Sequence, residues 1–529
     1  MTRQAEKAAL GEASIAPRDV SSTTGTEACF RKYAEWTPLV DWNEVFAGNR
    51  GINKQGIYEL YDAPIGIRLR LEEAMKSEPV VVADRPWERK AQLVATGYWQ
   101  ADGKYHVLYN SYVREGIDRR TTAWGGAQVH TCYAVSEDAY HWSKPALGLV
   151  DFEGSRQNNI LPETLPGIVF IDPSAPAEER FRAMGQEGVN FDPDTGEDLT
   201  SEEAGRRYTA MDRSGPAYKG PRAEGRYWIT GMTSPDGIHW KRFKERLAEM
   251  PSDGGNAAQY DPETGTYFAY LRAGGMNRRA TGLSRTDSFW KWPWPELVFF
   301  PDPQDEPDVS FYCANYFPYP GRKDLHGMIV SVYHQVPDNL DNQVAFSRNR
   351  THWYRPERRT VIPVGGPGSG EEGIVRTGLC GLAELPDGLW GVLYEGSNML
   401  HNATGFLPQV PGQLCWARWL PNRFCGIESE HEGRFTIVPV KRKGNSLRLN
   451  YRCRLGGWIQ AELIPHIPSR INPDVAPIPG YTFAESDRLG GDSLDRPVTW
   501  NGSCDLSKAG ESFGVRIRMF QAKLFAFAC

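Results

Sequence analysis

The chain has 529 residues and a mass of 59.4 kDa, with 60 Lys and Arg against 66 Asp and Glu, a formal net charge of −6. A composition of 40% hydrophobic and 24% charged residues excludes a disordered or collagen-like chain, and the acidic balance argues against a nucleic-acid partner. With 17 Trp, 23 Tyr, 22 Phe, 54 Gly and 38 Pro, the sequence reads as many short strands joined by tight turns, and its aromatic faces suit stacking on sugar rings.

In chain order, residues 1–30 read as disordered, and without an apolar core in that stretch no signal peptide is predicted and a cytoplasmic location is expected. Residues 31–84 form a lead-in, within which RLRLEEAMKS (68–77) is the one predicted short helix. From about 85 to 435 a grammar repeats. A hairpin comes first: LVATGYWQADGKYHVLYNSY (93–112), GIVFIDPSAPAEERFRAMG (167–185), AAQYDPETGTYFAYLR (257–272), YCANYFPYPGRKDLHGMIVSVY (312–333) and GLCGLAELPDGLWGVLYEG (378–396), each around a Gly-, Pro- or Asp-bearing turn. A third strand follows and ends in a serine six positions before a tryptophan: SEDAYHW (Ser136–Trp142), SPDGIHW (Ser234–Trp240), SRTDSFW (Ser284–Trp290) and SRNRTHW (Ser347–Trp353), with RWLPNRF (Arg418–Phe424) as a degenerate fifth copy. Ser and Asp side chains bond nearby backbone N–H groups and make the turn. His141, His239 and His352 recur at one slot before the Trp, which favours a structural role. The long first interval is filled by the polar insertion 188–224. Five four-stranded units predict an all-β fold, a five-bladed β-propeller. After residue 436 the repeat stops and alternating strands predict a C-terminal β-sandwich over 436–529. Nine widely spaced cysteines without a C-x-x-C read as free thiols, no metal-ligand spacing or cofactor motif is present, and no apolar run is long enough to span a membrane.

The element S-x-D-x-x-x-W closing a blade resembles that of the five-bladed propeller glycoside hydrolases, the superfamily of families 32, 43, 62, 68 and 117. The stretch SEDAYHWSKPALGLVDFEGSRQNNI (136–160) is similar to an uncharacterised bacterial family-32-like group whose pattern runs S-x-D-G-x-x-W-x-K-P-x-L-G-L and then G-S-x-x-N-N-I. The resemblance covers residues 80–435, and GDSLDRPVTW (491–500) and AKLFAF (522–527) fit the sandwich of that group. It implies sugar chemistry at the propeller mouth. The N-D-P-N-G, R-D-P and E-C motifs of the sucrose-cleaving members are absent, and FIDPSAP (170–176) contains a D-P whose Asp172 falls in a hairpin turn.

Hydrolysis of a glycoside needs two carboxyl groups across the scissile bond. In a propeller, residues just before each inner strand line one mouth. The acids at those slots are Asp84 and Glu88 in blade 1, Asp253 in blade 3, Asp305, Glu306 and Asp308 in blade 4, and Glu371 and Glu372 in blade 5. Asp308, Glu371, Glu372, Glu88 and Asp253 are the catalytic candidates. Asn159, Asn256, Arg272, Tyr312, His334, Arg376 and His401 are the candidate substrate contacts. The expected function is a glycosidase acting on a furanoside or small oligosaccharide, with a carbohydrate as its partner and no cofactor. The alternative is a carbohydrate-binding propeller without catalysis.

Overall fold

The computed structural model describes residues 20–21, 31–53, 55–113, 128–191, 198–199, 224–243, 245–248, 250, 252, 254–275, 278–401 and 411–529. The fold is all-β. Five antiparallel units follow one another, each built from the inside outward. Blade 1 comprises Gln92–Ala101, Lys104–Val113, Gln128–Ser136 and Trp142–Ser143. Blade 2 comprises Gly167–Ile171, Phe181–Phe191, Glu224–Ser234 and Lys241–Arg242. Blade 3 comprises Ala257–Asp261, Thr266–Gly275, Arg278–Thr286 and Glu296–Phe299. Blade 4 has Val309–Pro318, His326–His334 and Asn339–Ser347, with a bridge from Phe346 to Tyr354 in place of a fourth strand.

Blade 5 closes the ring. Its strands Ile374–Thr377, Trp390–Ser397 and Gln413–Trp419 are followed at the outer edge by Met75–Lys76 and Val81–Val82 from the N-terminal lead-in. The fifth Ser-to-Trp copy therefore has no strand to open, because beyond the left-handed Asn422 the chain runs through Phe424 straight into the C-terminal sheet. The short helix expected over 68–77 is also absent. Arg68–Leu71 pairs with Cys425–Glu428 and Met75–Lys76 with blade 5, so the tertiary edge outweighs local helix propensity.

Separate apolar clusters weld successive blades. Trp99, Val169 and Phe181 join blades 1 and 2. Phe170, Tyr270, Phe289 and Tyr316 join blades 2 to 4, and Tyr109, Leu393 and Trp416 join blade 5 to blade 1. Hydrogen bonds cross the same seams: Trp416 Nε1 donates to the Ala139 carbonyl at 2.8 Å and Tyr270 Oη to the Arg350 carbonyl at 2.8 Å.

The repeated turn is a local device. Asp138 Oδ1 accepts the N–H groups of Tyr140 and His141, Asp236 Oδ1 those of Ile238 and His239, and Asn349 Oδ1 those of Thr351 and His352. The following residue is left-handed in all three, Ala139 (φ 63°), Gly237 (φ 79°) and Arg350 (φ 65°), and its carbonyl accepts the Trp indole N–H in blades 1 and 2 at 2.8 Å and in blade 4 at 3.1 Å. His141 and His239 turn back onto Asp138 and Asp236, and His352 onto Asn349, in keeping with their structural reading. In blade 3 the sequence assignment shifts by two residues. Trp292, not Trp290, donates its indole N–H three residues back, to Phe289 at 2.7 Å, and it is buried whereas Trp290 is 40% exposed. Trp292→Ala is expected to cost about 3–5 kcal/mol in denaturant unfolding and Trp290→Ala about 1 kcal/mol or less; equal costs would return the repeat to Trp290.

The C-terminal part is one hydrogen-bonded sheet with the order Asp492–Pro497, Arg448–Ile464, Ser512–Ala528, Cys425–Lys441 and Arg68–Leu71, with Trp36–Pro38 also paired to the central strand. Register shifts between Ser429 and Glu432 and between Cys453 and Trp458 bend the long strands together. Residues of both halves, among them Ile427, Leu524, Phe435 and Ile517, share one core with blades 4 and 5. The sheet begins at Cys425, earlier than expected, and it includes two strands of the lead-in. The eight described cysteines form no disulfide, and among the described residues no helix is long and apolar enough to cross a membrane.

One buried histidine makes the fold pH-sensitive. Burial lowers the pKa of His326, on blade 4, to about 4. The folded state prefers the neutral ring, so its stabilising contribution is present above the unfolded value near 6.5 and is lost as pH falls from there toward 4. Stability is expected to drop by about 3 kcal/mol over that window from this residue. His326→Gln should flatten the dependence in denaturant titrations at pH 7, 5.5 and 4; an unchanged slope would rule it out.

Candidate active site

The inner strands begin at Gln92, Gly167, Ala257, Val309 and Ile374, so all five start at one mouth of the ring. The acids just before them are mostly committed elsewhere. Glu88 is fully buried; its carboxylate pairs with Lys144 at 2.6 Å and accepts from Tyr109 Oη at 2.7 Å and from the Asp84 and Arg85 N–H groups. Glu371 pairs with Lys76 at 2.6 Å and accepts from Tyr394 Oη at 2.8 Å and Gln413 Nε2 at 3.3 Å. The two constellations match. Each has a slot carboxylate, a second-strand tyrosine, a third-strand cysteine (Cys132 or Cys415) and a lysine on the outer edge. Burial, then the neighbouring thiol and carboxylate, push both tyrosine hydroxyls up, which keeps them proton donors. In blade 4 the same slot holds Asp305, paired with Arg355 two residues beyond its Trp, as Lys144 is beyond Trp142. These groups clasp the inner edge of a blade to its outer edge.

Asn159 belongs to the blade 1 clasp. Its amide donates to Tyr109 Oη at 3.0 Å and the Tyr133 carbonyl at 2.8 Å, and its oxygen accepts Trp87 Nε1. Asn256 is buried and pins its own loop through Ser252 and the Arg272 N–H. Glu372 Oε1 accepts the Gly368 N–H at 2.6 Å. Asp253 lies outside the described residues. Asp172 sits in its hairpin turn, as read from the sequence, buried and paired with Arg182 at 2.9 Å and accepting Tyr267 Oη at 2.6 Å.

The remaining candidates meet at the mouth. Arg376 on the blade 5 inner strand donates Nε and Nη2 to Glu395 Oε2 at 3.0 and 2.7 Å. Glu395 is 1% exposed. Burial disfavours the Arg376 charge, but the Glu395 carboxylate outweighs it and the guanidinium pKa is raised. The Arg376 guanidinium lies 5.7 Å from the Tyr312 ring centroid, and Arg279 of blade 3 lies 4.8 Å from Tyr312 and 5.4 Å from Tyr333. His401 packs edge-on against Tyr312 at 5.0 Å and tilted against Tyr333 at 4.5 Å. Tyr333 Oη donates to Asp338 Oδ1 at 2.9 Å, and Asp338 in turn accepts the His401 N–H on its carbonyl. Asp308 and His334 stand on the rim. Asp308 Oδ2 accepts the Val336 N–H, and the Asp341 carboxylate, 3.3 Å away, raises the His334 pKa. Arg272 is half-buried on the second strand of blade 3, whose far end faces this mouth.

Glu395 was not among the sequence candidates. It lies inside the apolar run WGVLYEGS, one residue from Tyr394, so strand alternation puts the two on opposite faces: Tyr394 toward the clasp and Glu395 toward Arg376. An acid in an otherwise apolar strand is the signal that would have found it.

A cavity of about 450 Å³ lies elsewhere, between Leu60–Ala63 and the C-terminal sheet. Its Arg516 is tied to Asp62 and Glu462, which makes it a seam between the lead-in and that sheet.

No family model and no curated protein matches the chain. Among solved structures, a mannose phosphorylase from Leishmania mexicana is 12% identical, with 66% of this chain and 89% of that one covered and a TM-score of 0.38. The Bombyx mori GH32 beta-fructofuranosidase BmSUC1 is 11% identical, covering 84% and 95%, with a TM-score of 0.37. An N-acetylgalactosamine deacetylase from F. plautii is 14% identical, covering 70% and 95%, with a TM-score of 0.36. At these values the likenesses assign no activity to this chain.

Proposed function

We propose that the chain cleaves a glycosidic bond, in a furanoside or small oligosaccharide, at this mouth. The observation that carries the reading is the convergence of Glu395, Arg376, Tyr312, Tyr333 and His401 at the one end of the ring where the inner strands begin. Glu395 supplies a buried carboxylate whose orientation is held by two N–H groups of Arg376. Asp308, on the rim of the same mouth, is assigned as its partner across the bond. The tyrosines offer ring faces for the apolar side of a sugar. A panel of aryl furanosides, aryl pyranosides and natural oligosaccharides, with products read by mass spectrometry, is expected to show release of a sugar.

A second reading, sugar binding without cleavage, is favoured by one observation: Glu88 and Glu371, two of the acids at the expected slots, are consumed in buried ion pairs. Saturable quenching of Trp fluorescence by sugars, with no product from the whole panel, would decide for it.

A further inference from the structure

One of the two arginines that meet at Tyr312 has no carboxylate partner among the described residues. Arg376 has Glu395. Arg279, which approaches the same Tyr312 ring from blade 3, has no ion pair with any described residue, and its Nη1 is buried without a hydrogen-bond partner among them. Its side chain is held in place by the faces of Tyr312 and Tyr333, and its backbone N–H by Ser310 Oγ at 3.4 Å. Its sequence neighbour Arg278 turns away to the Glu306 carbonyl. Asp338 accepts the hydroxyl of Tyr333, one of the two rings against Arg279. A guanidinium N–H taken out of water with no acceptor is costly. A fold keeps such a group where a ligand completes it.

We infer that Arg279 receives an oxyanion of the substrate, so that the sugar bound at this mouth is acidic, bearing a carboxylate or a sulfate. A planar guanidinium presents two parallel N–H groups that match the two oxygens of a carboxylate, and the rings of Tyr312 and Tyr333 pack against it. Low local dielectric strengthens the pair further. Arg279 would then set specificity, holding the acidic group of the sugar, while Glu395 and Arg376 remain for the reacting centre. The inference rests on the glycosidase reading for the identity of the site but is tested by binding alone.

The test is calorimetric titration of the whole chain with galacturonate and glucuronate, with galactose and glucose as neutral counterparts, and with galactose 6-sulfate. The uronates or the sulfated sugar are expected to bind at least ten-fold more tightly than the neutral sugars, with affinity falling as salt is raised. Preference for uronate or for sulfate identifies the oxyanion. Arg279→Gln should remove the preference, and Arg279→Lys, which retains the charge but loses the fork, should keep part of it; the second variant serves if the first does not fold. Equal affinity for acidic and neutral sugars, no binding of any acidic sugar, or unchanged uronate affinity in a folded Arg279→Gln protein would overturn the inference. The two readings fail differently: uronate binding without cleavage of any uronoside leaves this inference standing and removes the hydrolase, whereas cleavage of neutral glycosides with no affinity for acidic sugars does the reverse.

Discussion

Glu395→Gln is expected to fold normally and to lose activity by about 10²–10⁴-fold in kcat on whichever glycoside the panel identifies, the range that follows removal of a positioned acid or base. The substitution keeps the shape and one oxygen for Arg376, so lost chemistry is separated from lost packing. Asp308→Asn is expected to act in the same direction, since hydrolysis needs both carboxyl groups. Glu371→Gln is the informative control. Its carboxylate faces Lys76 and Tyr394, so it should lower stability and leave kcat per folded molecule within a few-fold. A folded Glu395→Gln protein turning over at the wild-type rate would take Glu395 out of the chemistry. A folded Glu371→Gln protein with kcat reduced 10²-fold would return the catalytic role to the slot acids.

Lys76→Met is expected to destabilise the fold by about 3–5 kcal/mol in denaturant unfolding, because it strands the buried Glu371 carboxylate without its cation. Lys76 lies on the strand that completes blade 5 from the other end of the chain, so the same change loosens the closure of the ring. Adding Glu371→Gln to Lys76→Met should recover most of the loss, since the penalty comes from the unpaired charge. Lys144→Met should behave likewise through Glu88, with Glu88→Gln as its rescue. A Lys76→Met cost below about 1 kcal/mol, the scale of an exposed pair, would show that the clasp contributes little to closure.

These two predictions come from residues that looked alike in the sequence. Glu88, Asp305 and Glu371 each precede an inner strand by three or four residues, a true regularity of the fold, whereas Asp308 stands directly before its strand. What each carboxylate faces is set by partners far along the chain: Lys144 for Glu88, Arg355 for Asp305, and for Glu371 a lysine 295 residues upstream. A regular slot filled by an acid suggests chemistry, but at Glu88 and Glu371, as at Asp305, the structure uses it to tie the blade's edges together.

Whatever is encoded within a few residues was legible in the amino-acid order. The Ser-to-Trp turn is such a unit, because an Asx side chain, two following N–H groups, a left-handed residue and an indole N–H satisfy one another inside seven positions. From its recurrence come the five blades, the all-β class and the structural role of the three histidines. Features that depend on strand edges, and on which face of a strand meets the axis, emerged only in the folded chain. The segment 68–77 reads as a short helix, yet its backbone groups find partners on blade 5 and on the C-terminal sheet, and pairing two open edges outweighs a few tenths of a kcal/mol per residue of helix propensity. Trp292 replaced Trp290 because two extra residues in the turn move the indole that can reach back into the core. Glu395 went unseen because adjacent residues of a strand face opposite sides, and only the closed ring shows which side of Trp390–Ser397 looks into the mouth.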